Sequence, residues 1–173
     1  MAIRSLERKR AAALRAVSGD PTAELRGARL RNASGWSPVN SPFLTVVGSP
    51  DPAATRGLAD ALAMIVRHSD AGLHRSVRPD AALERVVVDV LEQLRCLSLA
   101  PELPGLQANV AAVIEAWCRH ARAHGVAESG VGLEVYTLVH MARARLGLGF
   151  PDEEVDAIIE GSRARLGRLV GRA

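Results

Sequence analysis

Aromatic residues and cysteines are scarce in this sequence, and both shortages constrain the fold. Phe, Trp and Tyr make up 3% of the 173 residues, so a core has to be built from the Leu, Val, Ile and Ala that dominate the 48% apolar content. This composition is typical of helical bundles. The two cysteines, Cys96 and Cys118, both fall in helical patterns. We interpret them as reduced thiols of the core rather than as a disulfide, as is usual in the cytoplasm.

Long apolar runs are also lacking. No run reaches the roughly 18 residues that a membrane-spanning helix needs. The amino terminus is an Arg-rich amphipathic pattern that has neither the long apolar centre nor the cleavage site of a secretory signal. The sequence therefore predicts a cytoplasmic protein with no membrane contact.

Motifs for nucleotide and metal chemistry are missing as well. A phosphate-binding loop requires Gly-x-x-x-x-Gly-Lys-Ser/Thr, and Lys9, the one lysine of the chain, lies in no such loop. The Gly147-Leu148-Gly149 run has no strand before it, although a dinucleotide site requires one. The Asp-x-Ser-x-Ser turn that begins a metal-dependent adhesion site does not occur. We therefore predict no catalytic residue and no cofactor.

Two histidines, His120 and His124, lie four positions apart on a predicted helix, a spacing that can place two imidazoles on one metal ion. The zinc-protease pattern also needs Glu directly after the first His, and Ala121 stands there instead. The simpler interpretation is that both histidines are exposed or paired with Glu. Metal binding by the pair is the alternative, and we assign no metal site.

Positive charge is concentrated at the front of the chain. The net charge is +3, but residues 1–35 contain eight basic side chains against three acidic ones, a balance of +5 that leaves −2 for the remainder. On the first helix the candidate contact residues are Arg8, Arg10 and Arg15. A solvated face is the simplest interpretation of such a patch, and the alternatives are a nucleic acid or an acidic segment of a partner.

Hydrophobic periodicity predicts a mainly α fold, a helical bundle of about six helices with a small β or extended element near residues 22–47. We expect one domain over residues 1–173. Its parts are a basic amphipathic helix at 1–18, the irregular or β element at 22–48, and a helical core at 50–170. Inside the β element, residues 43–47 form an apolar, β-branched run that predicts a short strand.

The helical core has one especially regular helix over residues 83–97. Its apolar side chains follow the three-and-four spacing of a buried face, and they are Val86, Val87, Val90, Leu91, Leu94 and Leu97. On the solvent-exposed face, Arg85 lies one turn from Asp89 and Glu92 lies one turn from Arg95, so each of these two pairs can form an ion pair. The next helix is expected to bury Leu106, Val110, Val113, Ile114, Trp117 and Ala121. A last helix is predicted at 151–170.

A short junction separates the helix that ends near His68 from the central helix. Ser69 or Asp70 can cap a short helical turn here, and Leu73 and Val77 are expected to point inward. The junction carries two histidines, a carboxylate and an arginine, which are His68, Asp70, His74 and Arg75. These four form a candidate ligand or partner site, although junction histidines commonly just hydrogen-bond to helix ends.

From Arg56 to Ile114 the sequence resembles the amino-terminal region of the CobT subunit of aerobic cobaltochelatase. The resemblance lies in the order of short motifs, which are Arg56-Gly57-Leu58-Ala59-Asp60-Ala61-Leu62-Ala63, His68-Ser69-Asp70, Leu73-His74-Arg75, Arg78-Pro79, Val88 with Glu92-Gln93-Leu94-Arg95, and Pro104-Gly105-Leu106-Gln107-Ala108-Asn109-Val110. None of these motifs is catalytic. Residues 98–104 depart from the family's more basic pattern, which leaves open a divergent relative outside cobalamin synthesis.

The resemblance implies a non-catalytic helical interaction module in cobalamin biosynthesis. Family members act beside a ring-forming AAA+ ATPase subunit and a large corrin-binding chelatase subunit, so the chemistry of an ATP-dependent cobaltochelatase would be done by other chains. They also continue into an acidic linker and a von Willebrand A domain, so we expect this chain to be the front part of a longer protein. A homo-oligomer is left open.

The alternative from a different class is a helical nucleic-acid-binding regulator that uses the Arg-rich front. We prefer the interaction module, because no recognition helix can be identified and the aromatic residues are too few to stack on single strands.

Overall fold

The structure, a computed structural model, describes residues 2–39, 41, 51–148, 157, 160 and 161. The chain divides into two compact units, Met1–His120 and Ala121–Ala173. In the described part there are six α-helices and one small antiparallel sheet, which confirms the predicted mainly α fold with a small β element. That the two units form one domain stays a prediction.

The first unit begins with α1 (Ala2–Ser18), which buries Ala13 and Leu14 and contacts the second helix. The sheet follows, with strands β1 (Glu24–Arg26), β2 (Arg29–Asn32) and β3 (Gly35–Pro38) in that spatial order. Leu30 of the central strand is buried on one face of the sheet. The predicted strand at 43–47 lies outside the described residues.

Helix α2 (Pro52–His68) begins directly after Asp51, whose side chain accepts a 2.9 Å bond from the Ala53 amide, and it has a proline in its first turn. Its buried residues are Ala54, Thr55, Gly57, Leu58, Ala59, Asp60, Ala61, Leu62, Ala63 and Met64. Because so many of them are small, neighbouring helices can approach closely, and α2 contacts both α1 and α4.

Helices α3 (Ala71–Val77) and α4 (Ala82–Ser98) follow the junction. The predicted buried face of α4 is confirmed at Val90, Leu94 and Leu97, which are at most 5% exposed, whereas Val87 and Leu91 are half-buried. The prediction is wrong at Val86, which is 48% exposed. The first half of α4, where Val86 lies, is bonded to α3, a helix of only seven residues. The two helices meet there through polar side chains.

Helix α5 (Pro104–Ala123) buries all six side chains that the sequence assigned to its core. It approaches α2 closely at Gly57, where a Cβ atom would overlap the Asn109 carbonyl oxygen and lie 2.9 Å from Val113 Cβ. Glycine at this position therefore lets the two helix backbones meet. The antiparallel packing of α5 on α4 stays a prediction.

The described part of the second unit contains a short 3-10 turn (Val126–Glu128) and α6 (Gly130–Arg145). The Ser129 hydroxyl caps α6 by accepting a 3.0 Å bond from the Gly132 amide. Tyr136 and His140 are buried, and their rings meet edge to face with centroids 4.5 Å apart. The predicted helix at 151–170 lies almost entirely outside the described residues. Within the part that is described, no helix has the length and apolarity to cross a membrane.

Candidate interaction surface

The junction between α2 and α3 is built around the Asp70 carboxylate. Its Oδ1 atom accepts hydrogen bonds from the amides of Gly72 at 2.8 Å and Leu73 at 2.9 Å, so Asp70 caps α3 as the sequence predicted. These two bonds favour the charged form and lower the pKa of Asp70 below its ordinary value. The role that the geometry gives to this residue is to begin the helix.

His74 and Arg78 both bind the Asp89 carboxylate of α4. His74 Nε2 lies 2.8 Å from Asp89 Oδ1, and Arg78 donates to Asp89 Oδ2 at 2.6 Å. The sequence had paired Asp89 with Arg85 one turn earlier, and that pairing is wrong. A carboxylate on this side of α4 faces α3, and two donors from that helix and its end occupy both of its oxygens. The bonds hold α3 against α4.

Arg95 of α4 holds the other side of the junction, where α2 ends. Its guanidinium donates to both oxygens of Glu92, at 2.7 and 2.8 Å, and to the His68 carbonyl oxygen at 2.8 Å. The predicted Glu92 and Arg95 pair is therefore confirmed, with an added bond to the end of α2. The Arg95 bonds, aided by one from Ser69, lower the pKa of Glu92 to about 2.

Cys96 lies beside this pair and is buried. Burial, followed by the charge of Glu92, raises the pKa of its thiol to about 12. The thiolate is the reactive form of cysteine, so at neutral pH Cys96 is not a candidate nucleophile. This agrees with its interpretation as a thiol of the core.

His68 lies at the end of α2, and its Nε2 atom is buried with no hydrogen-bond partner in the described structure. Burial, together with the positive charges of Arg67 and Arg95, lowers the pKa of His68. The neutral imidazole is therefore favoured at this position. Of the four junction residues in the sequence hypothesis, Arg75 is the exposed cation, and its Nε donates to the Ala71 carbonyl oxygen.

The junction also exposes apolar side chains, which the sequence did not predict. Leu73 and Val77 were expected to point inward, and they are 64% and 60% exposed. The reason is rotational: the face of α3 that meets α4 is that of His74, and Leu73 and Val77 lie roughly 60° to 100° around the helix from it. Leu83 and Val86 at the start of α4 are also exposed. We call these four residues the α3–α4 surface.

On α1, Arg8 and Arg15 lie seven positions apart and therefore on nearly the same side of the helix, whereas Arg10 lies on the opposite side. Arg8 and Arg15 are exposed, whereas Arg10 is half-buried. The structure thus places the predicted contact residues on separate elements, α1 and the junction. Partner contact by any of them stays a prediction.

The two histidines for which metal binding was the alternative interpretation lie on either side of the end of α5. His120 is half-buried near the end of α5, and His124 is exposed in the turn beyond Ala123. Over the described ranges, no group of three or more His, Cys, Asp or Glu side chains is arranged to hold a metal ion.

A second surface that sequence reasoning missed is the outer face of the sheet. Arg26 and Arg29 place their guanidinium carbons 5.2 and 5.9 Å from the ring centroid of Trp36, which is 36% exposed. The signal available in the sequence is the group Arg26, Arg29 and Arg31, in which Arg29 and Arg31 alternate with Leu30. Its simplest interpretation from sequence is a solvated face.

Comparison with known proteins identifies one family. The family model described as "Cobalamin biosynthesis protein CobT" matches residues 5–173, far beyond the segment 56–114 that carried the resemblance. No curated protein matches the chain, and no solved structure does.

Proposed function

The chain belongs to the CobT family of cobalamin biosynthesis proteins, and on that premise we propose that it is a non-catalytic helical interaction module. Its partner in this proposal is the AAA+ ATPase subunit of a cobaltochelatase, which would supply the ATP-driven chemistry together with the large chelatase subunit. The cytoplasmic location and a homo-oligomer remain predictions of the same kind.

The observation that carries the proposal is the α3–α4 surface. Its four side chains are 42% to 64% exposed, although each belongs to a residue type that is usually buried. Apolar side chains exposed on two helices that are bonded to each other are typical of protein interaction sites. Covering one such half-exposed side chain contributes about 1 kcal/mol to binding.

The polar bonds of the junction support the same reading, because they hold the exposed residues in place. Asp70 caps α3, Asp89 binds it to α4, and Arg95 ties α4 to the end of α2. A surface held by its neighbours loses little side-chain and backbone freedom when a partner binds. The motifs of the family resemblance therefore act here by shaping a surface.

The test is a binding measurement between this chain and the purified AAA+ ATPase subunit at low and moderate salt. Leu73→Ser with Val77→Ser should weaken binding by about thirtyfold, since two apolar contacts of about 1 kcal/mol each are lost. The matched control is Leu103→Ser with Val131→Ser, which changes two side chains of similar exposure, 58% and 54%, on other elements. Thermal unfolding should be similar for both pairs.

Absence of binding under both salt conditions contradicts the proposal. Equal losses for the two double variants contradict the assigned surface.

A second candidate function is nucleic-acid binding through α1. The observation in its favour is that Arg8 and Arg15 are exposed on the same helix. Duplex affinity should then fall steeply with added salt and be lost when Arg8, Arg10 and Arg15 are changed to Ala. Binding without salt dependence removes this candidate.

A further inference from the structure

The outer face of the three-stranded sheet presents three arginines around one tryptophan. The register pairs Glu24 with Arg31 and Arg31 with Trp36, and it pairs Arg26 with Arg29 and Arg29 with Pro38. Residues directly opposite each other share a face, and so do residues two apart on a strand. All six therefore lie on one face, opposite to the face that buries Leu30.

The arginines on this face differ in whether they already have a carboxylate as a bonding partner. Arg26 donates a 2.8 Å bond to Glu24. Among the described residues, no carboxylate lies within salt-bridge distance of Arg29 or Arg31. Glu24 lies directly opposite Arg31 across the strands but bonds Arg26, and the Asp20 carboxylate, whose pKa Arg31 helps to lower, already accepts bonds from Thr22 and Ala33. Two exposed guanidinium groups are thus left for an external anion.

Trp36 gives the arginines a defined position. A guanidinium stacked on an aromatic ring keeps its N–H donors pointing outward in its own plane, which suits a carboxylate in two-bond geometry. The guanidinium carbon of Arg29 lies 5.9 Å from the Trp36 ring centroid, within cation–π distance, and Arg31 is the direct neighbour of Trp36 across the strands. The two arginines are two residues apart on β2, so their backbones are separated by about 6.6 Å along the strand.

We propose that this face binds an acidic peptide segment in extended conformation, with carboxylates at alternate positions contacting Arg29 and Arg31. In an extended chain, side chains two residues apart also repeat at about 6.6 Å on one side, so the two spacings match. A single-stranded nucleic acid fits less well, because base stacking needs an open ring and two arginines already lie against Trp36. This surface lies on other elements than the α3–α4 surface and does not depend on the function proposed for it.

The experiment uses the full chain and a fluorescein-labelled peptide of alternating Glu and Ser, followed by fluorescence anisotropy at physiological salt. A second peptide has the same composition with all Glu residues in one block, and oligothymidylate serves as the nucleic-acid probe. Arg29→Gln with Arg31→Gln should weaken binding of the alternating peptide by about tenfold or more, because two charge-assisted bonds are lost. The matched control is Arg8→Gln with Arg15→Gln, which removes the same charge from α1.

The proposal is supported if the alternating peptide binds several-fold more tightly than the blocked peptide, and if only the sheet variant weakens it. Equal losses for the two double variants overturn it, since they indicate general charge attraction. Oligothymidylate binding as tightly as the peptide, or no peptide binding at all, also overturns it. Circular dichroism of both variants shows whether either change disturbs the fold.

Discussion

The Asn109 side-chain amide of α5 donates a 2.9 Å hydrogen bond to the Asp60 carboxylate of α2, which is completely buried. The other oxygen of Asp60 accepts a 2.9 Å bond from Arg56 one turn earlier. A buried carboxylate is tolerated only when its oxygens are paired in this way. Asp60 and Asn109 belong to two separate motifs of the CobT resemblance, and the structure shows that these motifs join two helices.

We predict that this contact is a major source of stability in the first unit. Asp60→Ala should lower the free energy of unfolding by about 2–3 kcal/mol, because it removes both bonds of the buried carboxylate and takes this partner from the half-buried Asn109 amide. Asn109→Ala should cost about 1–2 kcal/mol. In a double-mutant cycle by urea unfolding, the two should couple by about 1 kcal/mol. Asp80→Ala, at an exposed position, is the control and should stay within about 0.5 kcal/mol of the parent.

Gly57 allows a second prediction, since it stands where the backbones of α2 and α5 meet. In an open helix, replacing Gly by Ala stabilises by about 0.5–1 kcal/mol. Here the new methyl group overlaps the Asn109 carbonyl oxygen, so Gly57→Ala should instead destabilise by about 1–3 kcal/mol. Thermal unfolding of both variants is the measurement. Gly105→Ala in α5, where nothing lies within 4 Å of the added carbon, is the control and should be neutral or stabilising. A stabilised Gly57→Ala variant would show that the helices are further apart.

The Glu92 and Arg95 pair predicts how the free energy of unfolding changes with pH under acidic conditions. The pKa of Glu92 is lowered from 4.5 to about 2, so the unfolded chain binds this proton more readily than the folded one. The stabilisation is therefore complete above the unfolded pKa and is lost as the pH falls from 4.5 towards 2. Urea unfolding at several pH values should show Glu92→Gln approaching the parent in stability over that range. A constant difference between the two proteins would contradict the assignment.

Protonation of His68 should affect stability closer to neutral pH. Because burial lowers its pKa below 6.5, the folded state resists protonation of this imidazole. Its contribution to stability is present above pH 6.5 and is lost as the pH falls from there towards the lowered pKa. His68→Gln should flatten the dependence of the melting temperature on pH between about 7 and 5. His124→Gln, at an exposed histidine, is the control and should leave most of that slope in place.

Local patterns in the sequence were sufficient for much of the fold. The end of α2 near His68, the cap at Asp70, and the buried face of α5 were all predicted correctly. These features depend on hydrogen bonds and side-chain periods within one or two helical turns, which neighbouring residues determine. The family resemblance was likewise carried by short motifs, and the comparison confirms the family over residues 5–173.

The interaction surfaces depended on which elements meet. Asp89 binds α3 instead of Arg85, and Leu73 and Val77 are exposed because His74 takes the side of α3 that faces α4. Periodicity identifies the apolar side of a helix, but it does not say how much of that side a neighbour covers. The arrangement of Trp36 with its arginines likewise depends on strand register.

The sequence by itself determined the mainly helical fold, the end of α2 near His68 and the family, because these follow from patterns of residues close along the chain. Only the tertiary structure decided that Gly57 meets Asn109, that Asp89 holds α3, and that apolar and cationic side chains remain on the surface. Such contacts join residues far apart in the chain, and their geometry is set by the packing of whole helices and strands.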